Sequence, residues 1–211
     1  MTDIFELFKK ISLPREEAGP PEFLVAGLGN PGAEYLHTRH NAGFLAMDVL
    51  SQKRGVELKQ LKFKALCAPV TISGVRVLLM KPQTYMNASG ESVREAADFY
   101  KIPPERIIVL SDDVTQPVGR MRIRRSGSDG GQKGLRSIIT HLSSDAFPRI
   151  RIGVGERPNP EYAMADWVLG KIPEEDRKPL FSVFECVSDA VPLLVEGRID
   201  DAMSRYNGVK F

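Results

Sequence analysis

Apolar positions along the chain keep two rhythms, and the alternation between them predicts the architecture. Residues 23–28 form an apolar run closed by glycine, and residues 107–110 and 150–154 form similar runs, as strands buried on both faces would. Val93, Ala96, Ala97 and Tyr100 recur at i, i+3, i+4 and i+7, the spacing of one helix face, ahead of a stop at Pro103. Asn41 is placed to cap a helix running to Arg54, which Gly55 ends. Residues 61–72 and 75–80 are rich in strand formers and are joined by Ser73-Gly74, a two-residue hairpin connection. Residues 83–90 join a strand to a helix, with Asn87 or Ser89 as the cap. Met121 and Ile123 alternate with Arg120, Arg122 and Arg124, and helical patterns over 135–142, 178–195 and 200–206 complete the chain. Strands alternating with helices, plus one hairpin, predict a single α/β domain with a central mixed, mostly parallel twisted sheet flanked by helices. In such sheets ligands gather beyond the carboxyl ends of the strands. Residues 1–21 stand apart, with Ile4, Phe5, Leu7, Phe8 and Ile11 on a short amphipathic piece before the breaker run Gly19-Pro20-Pro21. They read as an N-terminal extension to a domain spanning 22–211.

Composition narrows the class. With 211 residues, 42% apolar and 27% charged, the chain can bury a real core, and disorder or collagen-like fibres are excluded. The two cysteines, Cys67 and Cys186, lie far apart in apolar segments and read as reduced thiols rather than as a disulfide framework or zinc site. No apolar run reaches the roughly 18 residues of a membrane helix, and Asp3 and Glu6 spoil a signal peptide, so the expectation is a soluble cytoplasmic protein without a membrane partner. A net charge of +2 at first counts against a nucleic-acid ligand. Its distribution reverses that view: residues 118–151 carry eight cations against two carboxylates, a local +6 that leaves −4 for the rest.

Several motifs could carry chemistry. The loop Gly27-Leu28-Gly29-Asn30-Pro31-Gly32 formally matches G-x-G-x-x-G after a strand. A dinucleotide site also needs a helix opening at the third glycine and an acidic residue about 20 positions on, at the end of a second strand. Here Pro31 interrupts the loop and the later stretch reads as a helix carrying Asp48, so the glycines are better read as letting the backbone turn sharply near a ligand. His37 and His40 stand at i, i+3, but with no cysteine nearby and no acidic residue between them a metal site is disfavoured. His37 reads as a surface residue. His40, between Arg39 and Asn41, is the side chain suited to proton transfer at neutral pH. Asp112, just past the 107–110 strand, is the candidate carboxylate to orient it, while the alternative of Asp112 and Asp113 as a solvated turn stays open. Asn87 offers a neutral amide that can both donate and accept. No G-x-S-x-G elbow occurs, which disfavours a serine acyl-enzyme. Residues 126–134 form a glycine loop opening a helix, a setting that favours phosphate.

The first loop with Tyr35 and Thr38-Arg39-His40-Asn41 is followed by Lys81-Pro82-Gln83-Thr84-Tyr85-Met86-Asn87 with Ser89-Gly90, then by Asp112. Gly130-Gly131, Gly134-Leu135, Arg149-Ile150-Arg151-Ile152-Gly153 and Trp167-Val168-Leu169-Gly170-Lys171 come next. In this order and spacing the chain resembles the bacterial peptidyl-tRNA hydrolase family from about residue 23 to its C-terminal helices. The resemblance implies a monomeric α/β hydrolase of phosphorylase-hydrolase-like fold that cleaves the ester between a peptide and the terminal ribose of tRNA. It implies recycling of tRNA after ribosome drop-off, with the acceptor stem and 3′ end as the bound parts and stalled large ribosomal subunits as a further partner. By resemblance His40 is the general base, Asp112 orients it, Asn30 distinguishes blocked from free aminoacyl esters, and Asn87 binds the peptide and tRNA terminus or positions water. Tyr35 and Tyr85 would line the tRNA-end site, although the family often has Phe where Tyr85 stands. Arg124 and Arg151, with Arg122 close by, would grip the tRNA 5′ phosphate. No metal or organic cofactor is implied. The chain departs from the family in carrying Gln132-Lys133 where His-Asn is usual, and Lys133 is expected to meet phosphate as a point charge. A non-catalytic RNA-binding relative on the same scaffold is the alternative reading.

Overall fold

The computed structural model describes residues 19–211; the amphipathic stretch over residues 4–11 lies outside them. Strands β1 (Phe23–Gly27), β2 (Gln60–Lys62), β3 (Ala65–Ile72), β4 (Val75–Pro82), β5 (Ile107–Asp113), β6 (Met121–Arg124) and β7 (Arg149–Gly153) form one sheet in the order β2-β3-β4-β1-β5-β7-β6. The four central strands, β4, β1, β5 and β7, are parallel, and the edges are antiparallel. Helices α1 (Ala42–Lys53), α2 (Ser89–Tyr100), α3 (Lys133–Leu142), α4 (Met164–Leu169), α5 (Glu174–Val195) and α6 (Ile199–Tyr206) cover it.

The apolar runs are unbroken because both faces of the sheet are buried. Successive residues of a strand point to opposite sides, so Val25, Leu79, Ile108 and Leu110 meet α1 and α5 through Met47, Leu50, Val187 and Val191. Leu24, Ala26, Ile107 and Val109 meet α2 and α3 through Val93, Ala96, Leu135 and Ile138. Each fully buried Val, Leu, Ile or Met side chain among these contributes about 1.5–3 kcal/mol. The α1 side is drawn in tightly by two glycines: a Cβ on Gly27 would lie 2.5 Å from the Gly43 carbonyl oxygen, and one on Gly43 would strike the Leu110 oxygen.

Three local details differ from the sequence expectation, and a fourth closes an alternative it left open. The 61–72 stretch is two strands, because Phe63 and Lys64 take left-handed φ values of 54° and 51° in a tight turn that no glycine announces. Asn41 does occupy the position before α1, but its side chain makes no cap bond. The residue before α2 is Ala88, and neither Asn87 nor Ser89 caps that helix; the Ser89 hydroxyl donates to the Met86 carbonyl instead. Residues Asp112 and Asp113 are no solvated turn. The β5 strand outruns β1, which pairs with it only as far as Leu110, and β7 continues the pairing through Asp113. Both carboxylates are thereby carried, buried, to the carboxyl edge of the sheet.

Candidate active site

At that edge a cavity of about 520 Å³ opens among β1, β5, α3 and α4. Asn30, His40, Tyr85, Asn87, Asp112, Lys133 and Arg151 all line it. His40 sits in a short 3-10 turn, Arg39–Asn41, at the head of α1, and its Nδ1 lies 2.9 Å from Asp112 Oδ2. Asp112 is only 2% exposed and His40 8%, so this is a buried pair with the ring open to the cavity on one side. A carboxylate that accepts from Nδ1 fixes the tautomer and leaves Nε2 as the free base. Among the described residues Nε2 has no protein partner.

Asn30 is held on three sides. Asn41 Oδ1 accepts from its backbone N at 2.8 Å, Asn41 Nδ2 donates to its carbonyl at 3.0 Å, and its own Oδ1 accepts from the Met86 backbone N at 2.8 Å. That last bond settles which way the amide faces and leaves Nδ2 without a protein partner among the described residues. It also ties the first loop to the 3-10 turn Met86–Ala88, which presents exposed Asn87. Tyr85 is 58% exposed and meets Tyr35 edge to face at 6.4 Å; Tyr35 itself lies behind Tyr85 rather than on the cavity wall.

Two residues assigned no part in the site from sequence, and one short helix, complete it. Gln132 caps α3, its side-chain oxygen accepting from Leu135 N at 2.7 Å, while its Nε2 donates to Asp112 Oδ1 at 3.0 Å. Asn41, expected to cap α1, works as the clamp on Asn30. The short helix α4, unheralded by any apolar period, supplies Met164, Val168 and Leu169 as an apolar wall. Trp167 anchors it, with Nε1 donating to the Gly155 carbonyl at 2.9 Å and the Arg39 guanidinium 3.6 Å from its ring centroid. Burial pushes the Arg39 guanidinium below its ordinary value, against the opposing pull of Asp176.

The basic stretch divides into distinct roles. Arg149 is buried, and its guanidinium donates to the carbonyls of Gly127, Ser128, Asp145 and Phe147, tying down the glycine loop; burial brings it down to about 10. Arg151 is mostly buried and lies 3.1 Å from Asp113 Oδ2, an ion pair whose N–H direction is poor for a hydrogen bond. Asp113 Oδ1 meanwhile accepts from the Thr115 backbone and hydroxyl. Arg122 stands directly across from Arg151 on the antiparallel edge strand, and Arg124 is exposed two pairs further along. Arg125 and Arg136 are paired with Asp200 and Asp129. Of the +6 window, Lys133 and Arg151 line the cavity, while Arg122 lies beside Arg151 and Arg124 is exposed further along the edge strand. His37 is exposed, and among the described residues no three His, Cys, Asp or Glu side chains converge as metal ligands would. The glycine loop after β1 leads into a 3-10 turn, Ala33–Tyr35, not the helix a dinucleotide site requires.

A family model described as peptidyl-tRNA hydrolase matches residues 24–211. The chain belongs to the peptidyl-tRNA hydrolase family. Among its curated members, the peptidyl-tRNA hydrolase of Clostridium novyi (strain NT) is 50% identical over 188 residues, covering 89% of this chain and 99% of the relative. That of Alkaliphilus oremlandii (strain OhILAs) is 50% identical over 186 residues, covering 88% and 99%. The crystal structure of the family member from Acinetobacter baumannii superposes with a TM-score of 0.84 at 39% identity, covering 89% of this chain and 95% of that one. The α/β sheet with its antiparallel edges is thus the family fold. None of the described helices is long and apolar enough to cross a membrane.

Proposed function

We propose that this protein hydrolyses the ester joining a peptide to the terminal ribose of tRNA, with His40 as general base and Asp112 as its orienting partner. The observation that carries the reading is the 2.9 Å His40–Asp112 contact, set in one cavity with the unpartnered amide nitrogen of Asn30 and with Asn87. Nε2 of His40 takes a proton from water as that water adds to the ester carbonyl. The amides of Asn30 and Asn87 are the neutral donors available to the oxyanion. Collapse of the adduct breaks the bond to the ribose oxygen, and the imidazolium returns its proton there, leaving free tRNA, a peptide acid and neutral His40. The apolar wall of α4 offers a surface for the peptide, and Tyr85, backed by Tyr35, a face on which a terminal base can stack. Arg122, Arg124, Arg151 and Lys133 supply cation for the acceptor-stem and 5′ phosphates.

The proposal extends to a monomeric, cytoplasmic enzyme that recycles tRNA, including from stalled large ribosomal subunits. Residues 22–211 form its catalytic domain and 1–21 an appendage. The test is release of N-acetylaminoacyl groups from tRNA by wild type and His40→Ala. The variant is expected to lose about 10²- to 10⁴-fold in kcat, as removal of a general base does. Near-wild-type turnover by the variant refutes the assignment, and tRNA binding without any turnover by wild type supports the non-catalytic alternative.

A further inference from the structure

We propose that Gln132 is a positioning residue that locks the Asp112 carboxylate and, through it, the orientation of His40. The inference deepens the hydrolase reading and rests on it. Gln132 is buried at the mouth of α3 with both ends of its amide engaged. Its oxygen accepts the backbone N–H of Leu135 at 2.7 Å, one of the donors a helix start leaves unsatisfied. Its nitrogen donates to Asp112 Oδ1 at 3.0 Å and lies 3.1 Å from Met86 Sδ.

Only one orientation of the amide works. Turned over, it would set an oxygen against the carboxylate and an NH₂ against the Leu135 N–H, two repulsions in place of two bonds. The cap therefore decides the direction of the donor, and the donor occupies the Asp112 oxygen that His40 does not use. With Oδ2 on His40 Nδ1 and Oδ1 on Gln132, the carboxylate is held at both ends and cannot swing away from the ring. Met86 joins this arm to the other half of the site, because its backbone N–H holds Asn30. A primary amide does this without titrating, so both bonds persist at any pH at which the protein is folded. An imidazole can cap through one nitrogen and donate through the other only while it is neutral.

Two variants test the idea. Gln132→Ser supplies a good helix cap but is too short to reach Asp112. It is expected to keep its thermal midpoint near wild type, to leave KM for N-acetylaminoacyl-tRNA little changed, and to lower kcat on the order of 10- to 100-fold, the worth of one hydrogen bond to a charged group. The downfield proton resonance of His40 Nδ1–H, hydrogen-bonded to Asp112, should broaden or move with it. Gln132→His, which can again donate, should recover most of the lost kcat and the resonance. Unchanged kcat and an unmoved resonance in Gln132→Ser overturn the proposal, as does a lower kcat with the resonance unmoved. The resonance is read without substrate, so failure of the hydrolase reading would show as an inactive wild type whose His40 signal still responds to Gln132.

Discussion

Replacing Asn41 by Ala should damage the protein at a point the sequence marks only as a helix start. The Asn41 amide makes two hydrogen bonds to one peptide unit, to Asn30 N at 2.8 Å and Asn30 O at 3.0 Å, and both residues are buried. Truncation leaves an N–H and a C=O without partners where water has little access. Each such loss costs about 1–3 kcal/mol, and partial entry of water from the cavity lowers the sum, so we expect about 2–4 kcal/mol. In a chain of this length about 1 kcal/mol moves the thermal midpoint by roughly 2–4 °C, which places the predicted drop on the order of 5–15 °C. Urea titration followed by far-ultraviolet circular dichroism measures the free energy, and the midpoint should move without a change in slope. Activity on N-acetylaminoacyl-tRNA should fall as well, because Asn30 carries the Met86 turn with it. Asn41→Asp sharpens the test: it keeps the acceptor for Asn30 N but faces Asn30 O with a carboxylate oxygen. That carboxylate is better protonated in the fold, so its folded pKa lies above the unfolded one and the deficit against wild type should shrink as pH falls. A cost below about 0.5 kcal/mol for Asn41→Ala, within the range of an ordinary surface change, would show that the pair does not hold Asn30.

The two arginines assigned to phosphate should separate by stability. Arg124→Ala is expected to weaken tRNA binding and reduce its salt slope by about 1 with no stability change. Arg151→Ala strands the buried Asp113 carboxylate and should cost about 3–5 kcal/mol besides. Equal midpoints for the two variants would contradict the Asp113 pairing. Burial pushes the Cys67 thiol from the ordinary 9.0 up to about 11. Its folded value lies above its unfolded one, so its contribution is complete below about pH 9 and is lost as pH rises through about 11. The stability advantage of wild type over Cys67→Ala, measured by urea titration at both ends of that window, should narrow; a constant difference would contradict the burial argument.

The strands were legible because their chemistry is uniform: a run such as 107–110 can only be buried on both faces, and its flanking helices follow from the stripe over Val93–Tyr100. His40 and Asp112 were legible as a candidate pair through residue type and their places at strand ends, but the contact between them was not. Their meeting depends on β5 outrunning β1, a register that no local pattern encodes. The Phe63-Lys64 turn went unread because left-handed conformations at those residues are imposed by the paired strands on either side. Charge counting included Arg149 in the local +6, since a sequence cannot show that a cation is satisfied by backbone carbonyls. Gln132 drew attention only as a departure from a family pattern; an uncharged amide in a glycine loop has no signature until Asp112 and Leu135 stand on either side of it.

The two glycines that bring α1 against the sheet have a meaning beyond packing. Asp112 belongs to the sheet layer and His40 to the turn heading the helix layer, so the gap between imidazole and carboxylate is an interlayer dimension set by Gly27 and Gly43. These glycines act as a calliper. A methyl group added at either one would widen the jaws at the proton-transfer pair, so the fold tolerates little drift there even where neither residue touches a substrate.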